Sequence, residues 1–131
     1  MSSDSQEVDA LIARMEPVLH EGVFVYCSIS EEAVSGLAMR PMCTFQESEG
    51  VTIVVRREEA EQYRLDCTYP CRLITLTVHS SLTAVGFLAA ITARLAREGI
   101  SVNAVSAYFH DHLFVPVEQA ERALSVLREM Q

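Results

Sequence analysis

The sequence is poor in the features that usually announce an activity. None of its apolar runs approaches the ~18 residues needed to cross a bilayer, so no membrane partner is expected. Basic residues are scarce: 10 Lys and Arg stand against 18 Asp and Glu, for a net charge of −8, with no basic cluster. Such a surface repels phosphate backbones, which argues against nucleic acid as a partner. A Gly-x-Ser-x-Gly elbow for a nucleophilic serine is missing, and so is a His-Glu-x-x-His pair for zinc. Cys67-x3-Cys71 has no matching second pair and contains Pro70, so a zinc site is not expected there. The opening "MSSDSQEVDA" is polar and acidic, unlike a secretory leader. A cytoplasmic location follows as an expectation, and with it free thiols at Cys27, Cys43, Cys67 and Cys71. Cys27 and Cys43 could face each other across strands, but plain buried thiols are the simpler reading.

What is present describes a folded domain. Half of the 131 residues are hydrophobic and 21% are charged. That composition suits one compact unit or two small subdomains able to bury their own core.

Residues 5–16 read as a helix, with Val8, Leu11, Ile12 and Met15 on one face and Pro17 as its limit. "VFVYCSI" (23–29) is a strand by its β-branched and aromatic content. A short crossover follows from Ser30 to Leu37, and "PMCTFQE" and "VTIVVR" form a hairpin around the polar "SEG". "REEAEQY" starts a short helix.

A second series begins at Arg72. "RLITLTVH" alternates, with Ile74, Leu76 and Val78 on one face and Thr75, Thr77 and His79 on the other. "SSLTAVGFLAAITARLAREG" predicts a long helix with Ala84, Leu88, Ile91 and Leu95 as its stripe and Gly99 as its stop. "ISVNAVSAYF" is a strand, "HDH" a turn, and "LFVP" a returning strand. Pro116 leads into a last helix that buries Val117, Ala120, Leu124 and Leu127.

The two series match. "VVRREEAE" (54–61) and "FVPVEQAE" (114–121) share Val55/Val115, Glu58/Glu118, Ala60/Ala120 and Glu61/Glu121 at an offset of 60. Together with the same order of elements, this predicts a duplication. The fold class is α+β: two ferredoxin-like βαββα halves, residues 1–69 and 70–131, with antiparallel sheets and helices mainly on one face.

Three places could carry chemistry. At His110-Asp111-His112 the two imidazoles share a side only if the strand runs through them. With strands on either side, Asp111 is expected at a hairpin tip, and no third ligand accompanies it. "HSSLTAVG" (79–86) joins a strand end to the long helix, where unpaired backbone N–H groups favour a carboxylate. An N-cap plus a packing glycine is the structural alternative there. Asn103 sits early in a strand, where Asn is disfavoured, and could reach a ligand or satisfy a local backbone group.

With those residues in view, "ITLTVHSSLTAVGFLAAITARLAREGISVNAVSAYFHDHLFVPVEQAERAL" resembles the ACT-domain superfamily, in particular bacterial proteins with two tandem ACT-like halves. "VHSSL-x-AVG", "GIS-x-N" and the run through "HDHLFVP" carry the resemblance, with Phe109 where a second tyrosine is usual. "FVYCSI" and "MCTFQESEGVTIVV" are similar to the companion half. The resemblance implies a regulatory module, not an enzyme, binding a small-molecule effector, an amino acid, without cofactor or metal. The implied effector site is His79, Ser80, Ser81, Leu82, Val85 and Gly86, completed by Val102, Asn103 and Ala104. An ACT domain closes with a fourth strand, which the sequence does not provide after its last helix. The other half, the N-terminal segment or a second chain must supply it, and the open edge suggests a homodimer. A ligand-free interaction module of the same fold is the alternative function.

Overall fold

The computed structural model describes residues 3–131. Residues 1 and 2, counted above in the N-terminal half, lie outside the described residues. The chain divides into two compact units. One is Gly22–Cys71, and the other joins the segment up to Glu21 with Arg72–Gln131. The N-terminal segment contributes helix α1 (Ser3–Arg14) and the short strand β1 (Pro17–Leu19). Glu16, between them, takes a positive φ of 37° that turns the chain ahead of Pro17.

The unit Gly22–Cys71 contains β2 (Phe24–Ile29), α2 (Glu31–Ser35), β3 (Cys43–Gln46), β4 (Val51–Arg56), α3 (Arg57–Gln62) and the first residues of β5 (Cys67–Leu76). The Ser30 side chain caps α2 by accepting from Ala33 N–H at 3.1 Å. β3 and β4 form the expected hairpin, turning at Glu47–Gly50. β2 pairs antiparallel with β4 on one side and with β5 on the other. Alternation sends Val25, Cys27, Ile53 and Val55 inward, where Ala60 of α3 and the half-buried Val34 and Leu37 cover them. Both helices therefore lie on one face, as the period-two pattern requires.

The other unit adds the second part of β5, then α4 (Phe87–Arg97), β6 (Asn103–Ser106), β7 (Asp111–Pro116), a 3-10 turn (Val117–Gln119) and α5 (Ala120–Met130). β7 lies between β5 and β6. Every residue of β5 from Leu73 to Leu76 is buried, as befits a central strand. Ile74, Leu76, Leu113 and Val115 meet Ile91 and Leu95 of α4 and Leu127 of α5 in one core.

The missing fourth strand comes from the N-terminal segment. β1 pairs antiparallel with β5, Pro17 opposite Leu76 and Leu19 opposite Ile74. Met15 is fully buried in the same core, and Leu11 and Ile12 pack against it. By packing, the N-terminal helix belongs with residues 72–131, although by chain order it precedes the first half. The edge of β5 is thus filled from within the chain, so it no longer argues for a second subunit.

Two boundaries differ from the sequence reading. β5 stops at Leu76, because the Thr77 N–H and hydroxyl both turn to the N-terminal segment. The amide donates to Met15 O at 2.8 Å, and Oγ1 donates to Glu16 O at 2.8 Å. Thr77 and His79 therefore do not extend the sheet face of Thr75. The long helix starts at Phe87, not near Ser80. Ser81 Oγ accepts from Thr83 N–H at 3.1 Å, a local bond that competes with helix. Gly86, at φ 98°, then sets the start of α4. Ala84 falls outside the helix and is exposed. The buried stripe is Phe87, Ile91 and Leu95.

Candidate functional site

The loop from Thr77 to Gly86 and the hairpin of β6 and β7 meet at Asp111. This carboxylate is 6% exposed. A buried charge needs partners, and two serine hydroxyls supply them. Ser80 Oγ donates to Oδ2 at 3.1 Å, and Ser106 Oγ, opposite Asp111 in the β6–β7 register, donates to Oδ1. Beside them opens a small recess, lined by Ser80, Ser81, Leu82, Ser106, Asp111 and the start of α4 at Phe87 and Leu88. The first N–H groups of that helix have no partner one turn back, so its N-terminal end carries positive partial charge. One wall of the recess is anionic, and another favours anions.

This arrangement corrects the reading of His110-Asp111-His112 as a hairpin tip. The turn is Ala107–His110, closed by Ala107 N–H donating to His110 O at 2.9 Å. Tyr108 and Phe109 occupy its tip, 78% and 58% exposed. Asp111 and His112 already belong to β7, because the bonds from Ser80 and Ser106 hold the carboxylate inside. His110 closes the turn and His112 lies in β7, and their ring centroids are 6.2 Å apart.

Of the nine residues expected at the effector site, Ser80, Ser81 and Leu82 line the recess. His79 turns instead to the hairpin, its ring 5.1 Å from His110 and 5.6 Å from Phe109. Val85 and Gly86 are exposed farther along the loop and do not line the recess. Asn103 and Ala104 open β6 as exposed residues, and Val102 lines a separate shallow hollow beside α4 with Ala89, Thr92 and Ala93. Ser106 and Asp111 were missed. Asp111 opens β7 directly ahead of His112 and the apolar Leu113–Val115, and a carboxylate so close to a buried strand is the signal that could have found it.

A second polar system adjoins the site. Thr75 Oγ1 lies 2.8 Å from His20 Nε2 and 2.9 Å from His112 Nδ1. The His112 pKa is lowered, first by burial and then by His110 and His20, with Asp111 opposing. All four histidines of the chain thus form a row, His20, His112, His110 and His79. Among the described residues, no three His, Cys, Asp or Glu side chains are placed to hold one metal ion. No helix among them is long and apolar enough to cross a membrane.

Comparison with known proteins extends the picture. Residues 4–72 match one family model described as an ACT domain, and residues 68–129 match a second. A Vibrio cholerae protein of unknown function, described as a possible transport protein, is 41% identical over 98% of both chains, with a TM-score of 0.87. A protein from Agrobacterium tumefaciens shares 15% identity over 87% of each chain at a TM-score of 0.68. The regulatory subunit of aspartate kinase from Thermus thermophilus, in its ligand-free form, shares 12% identity over 87% of this chain and 96% of its own, at a TM-score of 0.67. The last two are likenesses of fold. No curated protein matches the chain.

Proposed function

This chain belongs to the ACT-domain family, and we propose that it is a regulatory protein whose effector is an amino acid bound in the recess at Asp111. The observation that supports this most is the pairing of opposite electrostatic walls. Asp111 faces the recess as the group to receive an ammonium, and the Ser81 hydroxyl and leading N–H groups of α4 suit a carboxylate. A free amino acid carries both groups on one carbon. Leu82 and Phe87 leave an apolar wall for its side chain. In this reading the chain catalyses nothing, works in the cytoplasm and signals through differential affinity of its bound state for a partner.

The exposed apolar residues around the recess favour a role for association as well. Leu82, on the recess, is 66% exposed and Val85, in the same loop, 67%, and Tyr108 and Phe109 at the tip of the hairpin are also bare. Such residues suit a contact with a second copy of the chain, which would cover the recess. They also carry the competing reading, an interaction module that binds no small molecule.

A thermal-shift screen against the twenty amino acids separates the two. A ligand at 100 times its dissociation constant adds about 2.7 kcal/mol of stability, a shift of several degrees in a domain of this size. A selective, saturable shift supports the sensor. No shift with any amino acid at millimolar concentration overturns it in favour of the interaction module.

A further inference from the structure

The four cysteines differ sharply in setting. Cys71 is buried, and burial pushes its thiol up to about 12, which removes it from thiolate chemistry. Cys43 stands opposite Val54, which in turn stands opposite Tyr26. It therefore lies on the Tyr26 face of the sheet, and the pairing of Cys27 with Cys43 that the sequence allowed is excluded by strand alternation. Cys27 points the other way, into the core with Val25 and Ile53, and is 4% exposed.

Its direct partner in the antiparallel pairing of β2 and β5 is Cys67. Directly opposed residues of an antiparallel pair project to the same face, with Cβ atoms about 4.5–5.5 Å apart. A disulfide needs about 3.5–4.5 Å between Cβ atoms and about 4.4–6.8 Å between Cα atoms. Only a small approach separates the reduced pair from a bond. Cys67 is the first residue of β5, and it is exposed.

We propose that Cys27 and Cys67 are a modification site: a cross-strand pair that closes into a reversible intramolecular disulfide when a small disulfide oxidant reaches Cys67. The exposed Cys67 thiolate attacks one sulfur of the oxidant, for instance oxidised glutathione, and one glutathione thiol leaves. Cys27 then gives up its proton and attacks the Cys67 sulfur, and the second glutathione leaves as a thiol. Two protein thiols lose two electrons and two protons, and the oxidant's S–S bond is reduced to two thiols. Resolution is the slow step, because burial first, then Cys67 and Asp66, raise the Cys27 thiol above its ordinary value. The bond ties the opening strand of the unit Gly22–Cys71 to its closing strand. It requires no structural disulfide in a reducing compartment, where such pairs serve transiently.

The test uses the full chain, reduced and then exposed to oxidised glutathione, with the intact mass and a non-reducing peptide map as readouts. Expected are a product lighter by two hydrogens, a Cys27 peptide joined to a Cys67 peptide, and full reversal by dithiothreitol. Cys43→Ser and Cys71→Ser should react as the parent does, and Cys27→Ser should stop at a glutathione adduct on Cys67. Persistent glutathionylation of Cys67 in the parent chain overturns the proposal. So does a disulfide between two chains, or a product that leaves Cys27 free.

Discussion

The hydroxyl of Thr75 lies 2.9 Å from Nδ1 of His112, and the same oxygen lies 2.8 Å from Nε2 of His20. One hydroxyl hydrogen can be donated to one imidazole only, so the other ring must donate to the oxygen. With both rings protonated, both nitrogens donate, and the hydroxyl hydrogen loses its acceptor in a nearly buried place (Thr75 is 7% exposed).

A pH dependence follows. His112 titrates below the ordinary 6.5 in the folded chain, so the unfolded chain takes up its proton first. This group leaves stability unchanged well above pH 6.5 and lowers it as the pH falls through 6.5 toward the depressed folded value. Urea midpoints measured at about pH 7.5 and about pH 5.5 should show the loss. His112→Asn, which keeps a polar group near Thr75 without titrating, should shrink the difference. An undiminished difference in that variant would place the proton uptake on other groups.

Asp111→Asn removes the negative charge from the recess and keeps the shape. Hydrogen bonds to charged groups contribute about 1.5–3 kcal/mol, so affinity for the amino acid found in the screen should fall by about tenfold or more. Isothermal titration of the variant checks this. Unchanged affinity would put the ammonium elsewhere.

Gly86 holds φ at 98°, and a Cβ built on it would meet Val8 Cγ2 at 3.3 Å. Gly86→Ala should cost about 1–3 kcal/mol, the usual range for a strained left-handed residue, read as a lower denaturant midpoint. The same substitution at Gly99, φ 75° with open space around it, carries the backbone strain without the contact. It should cost less, and equal costs would show that Val8 yields freely.

Met15→Ala empties a fully buried position of the core shared with Ile91 and Leu95. Truncations of this kind cost about 2–5 kcal/mol. Hydrogen exchange should then speed up in α4 and β7. Faster exchange confined to α1 and β1 would mean that the N-terminal segment is a loose appendage.

Much of the architecture was legible in residue order, for local reasons. β-Branched and aromatic content in "FVYCSI", the polar turn ahead of "VTIVVR" and the alternation of "RLITL" mark strands, in which successive side chains point to opposite faces. Leu88, Ile91 and Leu95 mark a helix because residues three and four apart share a face, although the buried stripe begins at Phe87 and leaves Ala84 out. The matched "VVRREEAE" and "FVPVEQAE" both lie at a strand-to-helix junction, so duplication and element order were readable together. The Ser80–Leu82 segment could be singled out because it leads from a strand toward a helix. Contacts between segments distant in the chain were decided only by the tertiary structure. Pro17–Leu19 is too short to announce itself as a strand, and becomes one because β5 offers a free edge. Asp111 looks like a turn residue until Ser80, 31 positions away in the chain, and Ser106 across the hairpin satisfy both of its oxygens. Local propensity sets each segment's conformation, but the partner of a buried charge is whatever the fold brings within hydrogen-bonding distance. That selection left Asn103 outside the recess and made Asp111 its centre.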